Sequence, residues 1–213
     1  MYIAIEGVIG VGKTTLARLL QDHFTAELLL EIFEENPFLS DFYSDRQRYA
    51  FQTQIFFLLS RYHQQRKGVR DALQHNSWLI SDYTFSKDRL FAEVNLVGDE
   101  LEMYYKVHEA LAEKTTLPDL VVYLRADTHV LMQRIAQRDR PYERQMEVDY
   151  IDTLNKHYDF HFGGYSQENI LVINTNDLDF VRNPEDLESV ELRIRQTLKM
   201  APFQESLPID LDI

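Results

Sequence analysis

The chain has 213 residues, 45% of them hydrophobic, enough to bury one sizeable core, so a single domain is expected. It contains no cysteine, which excludes disulfides, thiolate metal sites and cysteine nucleophiles. Its formal net charge of −13 argues against a polynucleotide partner, because the overall field repels a phosphate backbone. No apolar run approaches a membrane span and no signal or transit segment is read ahead of the first strand. A cytoplasmic protein with no membrane partner is therefore expected.

Strand-like apolar runs fall at 2–5, 27–33, 78–81, 119–124 and 170–174. Helical patterns lie near 13–24, 46–67, 99–114, 128–138, 147–161 and 184–198. This alternation predicts an α/β fold, a five-stranded parallel sheet flanked by helices on both faces. Ligands of such sheets collect beyond the carboxyl ends of the strands, so functional residues are expected just after each run. The domain is read as 1–200, followed by an acidic, proline-containing tail at 201–213.

The first run, Tyr2-Ile3-Ala4-Ile5, leads into Gly7-Val8-Ile9-Gly10-Val11-Gly12-Lys13-Thr14, and Leu16, Leu19, Leu20 and Phe24 then recur at helical spacing. Strand, glycine-rich turn and helix form the context that the phosphate loop G-x-x-x-x-G-K-[ST] requires. Glycines let the backbone curl until several N–H groups point at one anion, and the helix N-terminus adds positive potential. Gly7, Gly10, Val11, Gly12, Lys13, Thr14 and Thr15 are thus the expected cradle for a nucleoside triphosphate. Lys13 can reach the β- and γ-phosphates, and the Thr14 hydroxyl can ligate Mg²⁺.

The second run is followed by Glu31, Glu34 and Glu35, a carboxylate cluster that offers a general base. After the third comes Asp82, placed to hold Mg²⁺ or its waters. The fourth leads to Arg134, Arg138, Arg140 and Arg144 within eleven residues. Alone, such a run fits a solvated helix face equally well. In a chain with a phosphate loop it reads better as a second cationic wall. After the fifth run, Asn174-Thr175-Asn176-Asp177 is polar enough to border a nucleotide base, and some of these Asp and Asn residues are expected simply to cap helices.

The pattern at 46–67 places Gln54 and Arg61 seven apart on one face, beside a stripe of Phe51, Ile55, Leu58 and Leu59, with Phe56 and Phe57 making the helix apolar almost all round. Buried polar groups there need partners. A glutamine amide can read a base edge through its paired donor and acceptor, though taken alone Gln54 reads as a core amide satisfied by backbone. His157 and His161 are four apart, but with no H-E-x-x-H and no third ligand they read as surface residues rather than a metal pair.

Together, EGVIGVGKTT, EIFEENPFL, FQTQIFFLLSR, SDYTFSKD and RIAQRDRPYE, in this order, resemble the deoxynucleoside kinase family over residues 2 to about 198, and most nearly its bacterial deoxyguanosine and deoxyadenosine kinases. The resemblance implies a P-loop kinase fold and transfer of phosphate from Mg·ATP to the 5′-hydroxyl of a deoxynucleoside in nucleotide salvage, with deoxyguanosine or deoxyadenosine preferred and deoxycytidine as the alternative. It implies Glu31 as the base that accepts the hydroxyl proton, and Gln54, Arg61 and Asp88 around the nucleobase, with Phe91 stacked on it. Tyr43 and Glu143 would hold the 3′-hydroxyl. Arg134, Arg138 and Arg140 would form an arginine-rich lid over the phosphates, at about 134–146, and the segment 174–180, with Asp177, would border the donor adenine. The resemblance further implies a homodimer and feedback inhibition by a deoxynucleoside triphosphate. The sequence departs from the common family form at Asp82-Tyr83-Thr84, where many members carry an arginine between the acid and a serine. Lys87 is the cation near enough in sequence to compensate.

A nucleoside monophosphate kinase of the thymidylate kinase type is the nearest alternative. It needs a cationic clamp for the acceptor phosphate, whereas EIFEENPF is acidic and favours an uncharged acceptor. A GTPase-type switch needs N-K-x-D and D-x-x-G, and neither occurs. A non-catalytic nucleotide-binding module leaves Lys13, Thr14, Glu31 and Asp82 without a purpose.

Overall fold

The first strand, β1 (Tyr2–Glu6), is buried along its whole length. A strand with both faces covered reads as a continuous apolar run, and burying Ile3 and Ile5 completely contributes roughly 1.5–3 kcal/mol each. In this computed structural model, which describes residues 1–33, 36–75, 78–163 and 169–200, β1 is the centre of the fold. Chain order continues with α1 (Lys13–Phe24), β2 (Ala26–Leu29), α2 (Leu39–Ser44), α3 (Arg46–Gln74), β3 (Trp78–Ser81), α4 (Lys87–Asn95), α5 (Gly98–Ala112), β4 (Leu120–Arg125), α6 (Thr128–Arg138), α7 (Val148–Phe162), β5 (Ile170–Asn174) and α8 (Pro184–Thr197). The acidic tail at 201–213, and the carboxylates Glu34 and Glu35, lie outside the described residues.

The five strands make one sheet in the order β2-β3-β1-β4-β5, every neighbouring pair parallel. The chain runs outward from β1 to β2, returns through β3, and then crosses β1 to reach β4. The connections therefore diverge on either side of β1, and such a switch point opens a crevice at the carboxyl ends of the strands. The phosphate-loop sequence, which leaves β1, opens into that crevice.

Four elements differ from the sequence reading. The second strand ends at Leu29, short of the expected 33, because the Glu31 N–H leaves the sheet and donates to Asp82 Oδ1 at 2.8 Å. The third helix runs on past the expected 67 to Gln74, with Val69 and Ala72 buried beside Tyr2, Ala4 and Leu79. Gly68 lies within it because Leu29 packs on it: a Cβ there meets Leu29 Cδ1 at 2.8 Å. The expected stripe on this helix is also rotated. Leu58 is buried, Phe51 and Ile55 are half-buried and Leu59 is exposed, while Gln54, Phe57, Arg61 and Gln65 face inward. Two short helices, α2 and α4, have no counterpart in the sequence reading, being too short to show a clean period.

Gly7 ends β1 at φ 146, with its Cα pressed against β4, and a Cβ there falls 2.4 Å from the Leu124 carbonyl oxygen. Neither that backbone oxygen nor the φ value accommodates a side chain. Gly7→Ala is expected to lower the unfolding free energy by about 2 kcal/mol or more, read from the urea midpoint at constant m.

Candidate active site

The helix α1 begins at Lys13 with Gly12 as its N-cap, and no side chain caps it among the described residues. Its first N–H groups are therefore available to a ligand at the positive end of the helix. The loop in front is curled by positive φ at Gly7, Gly10 and Gly12. It is closed from within by Lys13 Nζ, which donates to the carbonyls of Gly7 at 2.8 Å and Val8 at 3.1 Å. Burial pushes the Lys13 ammonium down to about 8, and the nearby Lys87 charge pushes the same way, against Glu6, Glu31 and Asp82.

Asp82, just past β3, ties three strand ends together. Its Oδ2 accepts from Thr14 Oγ1 at 2.5 Å and its Oδ1 accepts from the Glu31 amide. A hydroxyl and a carboxylate side by side fit a small hard cation that takes one or two protein oxygens and keeps several waters.

Glu31 is held between two cations. Its Oε1 accepts from Arg61 Nε at 3.0 Å and from Arg61 Nη2, and its Oε2 accepts from Lys87 Nζ at 2.6 Å. Arg61 Nη1 also donates to Asp88 Oδ1, and the guanidinium lies over the Phe57 ring at 4.5 Å. Burial alone would raise the Glu31 carboxyl, but the charges and hydrogen bonds of Arg61 and Lys87 outweigh it and hold it far below the usual carboxylate range.

The four clustered arginines separate. Arg138 donates from Nε and Nη2 to both oxygens of Glu143 at 2.7–3.1 Å. Arg140 stands 3.7 Å from Glu143 Oε1, with its guanidinium 4.1 Å from the centroid of the Phe33 ring. Arg134 is held elsewhere, donating to Thr175 Oγ1, the Thr175 carbonyl and the Leu178 carbonyl. Arg144 is exposed and paired with Asp139. Only two of the four expected cations thus turn toward Glu31. Arg138 and Arg140 line a cleft of about 670 Å³ with Lys13, Thr14, Glu31, Tyr43, Arg61, Asp82, Lys87, Phe91 and Glu143. In this cleft Tyr43 stacks on Tyr142 with centroids 6.0 Å apart, and burial keeps its hydroxyl well above the ordinary phenol range, hence neutral. Gln54 and Asp88 are buried just behind, and Gln54 Oε1 and Asp88 Oδ2 have no hydrogen-bond partner among the described residues.

A second, wider cleft of about 1330 Å³ adjoins the same loop from the other side. Gly10, Val11, Gly12 and Thr15 form one wall, and Arg134, Arg138 and the segment from Asn176 to Val181, with Asp177, form the other. The phosphate loop therefore lies between two clefts, which suits joint binding of a phosphate donor and an acceptor.

Two residues of this centre were absent from the site expected from sequence. Glu6, fully buried at the end of β1, accepts from Thr84 N and Oγ1 at 2.6 and 2.7 Å and from the Gly7 amide at 3.2 Å, fixing the loop against the β3–α4 turn. Its signals in the sequence were a charge ending an otherwise apolar strand and its place at the head of EGVIGVGKTT. Lys87, read from sequence only as a compensating charge, lines the cleft against Glu31. Tyr83 is buried and points away, donating to Gln64 Oε1 at 2.9 Å. His157 is half-exposed and His161 exposed on α7.

Residues 3–199 match the family described as deoxynucleoside kinase. The sequence is 33% identical over 201 residues to deoxyguanosine kinase of Bacillus subtilis (strain 168), covering 92% of this chain and 97% of that protein. It is 34% identical to deoxyadenosine kinase of Dictyostelium discoideum, over 87% of this chain and 76% of the other. The solved structure of deoxyadenosine kinase from M. mycoides with bound dCTP superposes with a TM-score of 0.78 at 27% identity, covering 92% of this chain and 100% of that one.

A triphosphate seated on the loop returns negative charge to Lys13 and raises its ammonium above the ligand-free value of about 8. ATP affinity is therefore expected to be level below that pH and to weaken by up to about tenfold per pH unit above it. Calorimetry at pH 7, 8 and 9, in buffers of different ionisation enthalpy, reads both the affinity and the accompanying proton uptake.

Proposed function

This chain belongs to the deoxynucleoside kinase family, and on that footing we propose that it transfers the γ-phosphoryl group of Mg·ATP to the 5′-hydroxyl of a purine deoxynucleoside, deoxyguanosine or deoxyadenosine, in nucleotide salvage. One observation carries the reading. The phosphate-loop residues Lys13 and Thr14 face the same cleft as the clamped carboxylate Glu31 and the Arg61 that pairs with Asp88.

In this reading the donor base lies in the wider cleft beside Arg134 and Asp177, and its phosphates rest on Gly7, Gly10, Val11, Gly12, Lys13, Thr14 and Thr15. Thr14 and Asp82 hold Mg²⁺, which supplies charge neutralisation on the phosphates when bound. The acceptor lies in the narrower cleft. Gln54, Arg61 and Asp88 take the purine edge, which the orphaned acceptors Gln54 Oε1 and Asp88 Oδ2 support, since buried unpaired oxygens want donors such as ring N–H and amino groups. Phe91 offers its ring to the base. Tyr43 and Glu143 hold the 3′-hydroxyl, which sets the 5′-hydroxyl toward Glu31 and in line with the γ-phosphate. Glu31 orients that hydroxyl and accepts its proton. Arg138 and Arg140, from a lid at about 134–146, exchange Glu143 for phosphate oxygens as charge develops on the transferred group.

We read 1–200 as one catalytic domain, acting as a cytoplasmic homodimer. Among the described residues no helix is long and apolar enough to cross a membrane. The exposed Leu59 on α3 and Met103 on α5 are apolar surface that a second copy would cover. The thymidylate kinase type of activity is not favoured, because the residues about Glu31 offer an acceptor phosphate a carboxylate already saturated by its cations.

Phosphate transfer from Mg·ATP should be measured with deoxyadenosine, deoxyguanosine, deoxycytidine, thymidine and thymidine monophosphate. Turnover of one or both purine deoxynucleosides with the monophosphate inert is expected, and turnover of the monophosphate alone would sink the reading. Glu31→Gln is expected to lower kcat by about 10²-fold or more.

A further inference from the structure

Lys87 is a buried lysine to which the reading above gives no role. Its side chain is 5% exposed, it is the first residue of α4, and its ammonium meets Glu31 Oε2 at 2.6 Å. Local physics disfavours a cation there. The N-terminus of a helix carries positive potential, so a lysine in the first turn is opposed by the helix that carries it, whereas the neighbouring Asp88 is favoured. A buried ammonium must also find an anion or lose its proton. Both costs are met by one contact, Glu31, and the Phe91 ring one turn on, 5.6 Å from Nζ, screens the group from water. A residue that breaks a local rule at the floor of a site points to function rather than packing.

The division of labour around Glu31 is uneven. Arg61 spans two carboxylates, Glu31 and Asp88, so its position depends on whatever occupies the space beside Asp88. Among the described residues Lys87 has one hydrogen-bonded partner, Glu31. When a base edge competes for Arg61, Lys87 is the contact that keeps the carboxylate in place.

We propose that Lys87 is a positioning residue of the phosphoryl transfer: its ammonium pins Glu31 Oε2 at the floor of the acceptor cleft and so fixes the carboxylate that receives the 5′-hydroxyl. This rests on the reading of Glu31 given above. It differs from a simple replacement of a phosphate-neutralising charge, because Lys87 acts through Glu31 rather than on the donor.

The test is a cycle of Lys87→Met, Glu31→Gln and the double variant, with kcat and KM measured for the preferred nucleoside. Lys87→Met is expected to lower kcat by about 10²-fold, with KM little changed, since a carboxylate displaced by an ångström costs that much. In the Glu31→Gln background it should cost little more, because residues acting as a unit are not additive.

Unchanged kcat in Lys87→Met, or losses that multiply in the double variant, would overturn the proposal. A fully active Glu31→Gln would overturn the assignment of Glu31 itself, a separate failure. Should Lys87→Met fold poorly, the cysteine-free sequence provides a second route. Lys87→Cys, aminoethylated in denaturant and refolded beside wild type treated alike, carries an ammonium at that one position. It should recover turnover to within about tenfold of wild type, while unmodified Lys87→Cys does not. Equal activity of the two forms would overturn the proposal.

Discussion

Two anions and two cations, buried together where β2, α3 and α4 meet, set the geometry that the rest of the centre depends on. Glu31 and Asp88 are opposed by Lys87 and Arg61, with side chains 14%, 0%, 5% and 5% exposed, so their formal charges cancel. Moving each ion out of water costs several kcal/mol, and only close, hydrogen-bonded partners offset that cost. Removing one member leaves an unpaired buried charge, a change worth about 3–5 kcal/mol. The quartet therefore admits few arrangements. It lets α3 carry Arg61 on its inward face among Phe57, Leu58 and Tyr62, and it lets α4 begin with a lysine despite its own dipole.

What the sequence made legible was what local pattern encodes. The apolar run of β1, the glycine-rich turn and the periodic leucines of α1 announced the phosphate loop without help from distant residues, and the alternation of runs gave the parallel sheet. What stayed hidden depended on contacts between residues far apart in the chain. The end of β2 is set by the Glu31 amide bonding to Asp82, 51 positions away, so periodicity alone extended the strand too far. The arginine run reads as one cluster on paper, yet each member follows its nearest acceptor. Arg134 finds carbonyls after β5, Arg144 finds Asp139, and only Arg138 and Arg140 face the cleft. Glu6 and Lys87 lie within the motifs EGVIGVGKTT and SDYTFSKD, but the motifs alone do not say what the two charges contact. Their importance lies in being charged and buried, which a sequence does not display.

The same contrast explains how a chain of net charge −13 can offer a site to phosphates. The field at large is screened within about 10 Å at moderate salt, whereas a cleft with Lys13, Arg61, Lys87, Arg138 and Arg140 on its walls acts at contact range. Those cations are engaged before any ligand arrives: Lys13 with loop carbonyls, Arg138 with Glu143, Arg61 and Lys87 with Glu31. An anion must therefore exchange with an existing partner rather than fill a void. A polyphosphate carrying several charges does so more readily than a singly charged anion, which favours the triphosphate over background ions.

The acid strength of Glu31 bears on the chemistry expected of it. A carboxylate flanked by Arg61 and Lys87 is a weak proton acceptor, because both neighbours stabilise its charged form. In phosphoryl transfer that is little handicap. The transition state is loose, with small bond formation to the nucleophile, so the hydroxyl proton need not leave early and strong basicity gains little. Orientation gains more, since the hydroxyl must lie in line with the departing oxygen before bond breaking begins. A carboxylate fixed at its amide by Asp82, at one oxygen by Arg61 and at the other by Lys87 is suited to alignment, and in the proposed reaction it would receive the proton late, once the new phosphate ester has made that proton acidic.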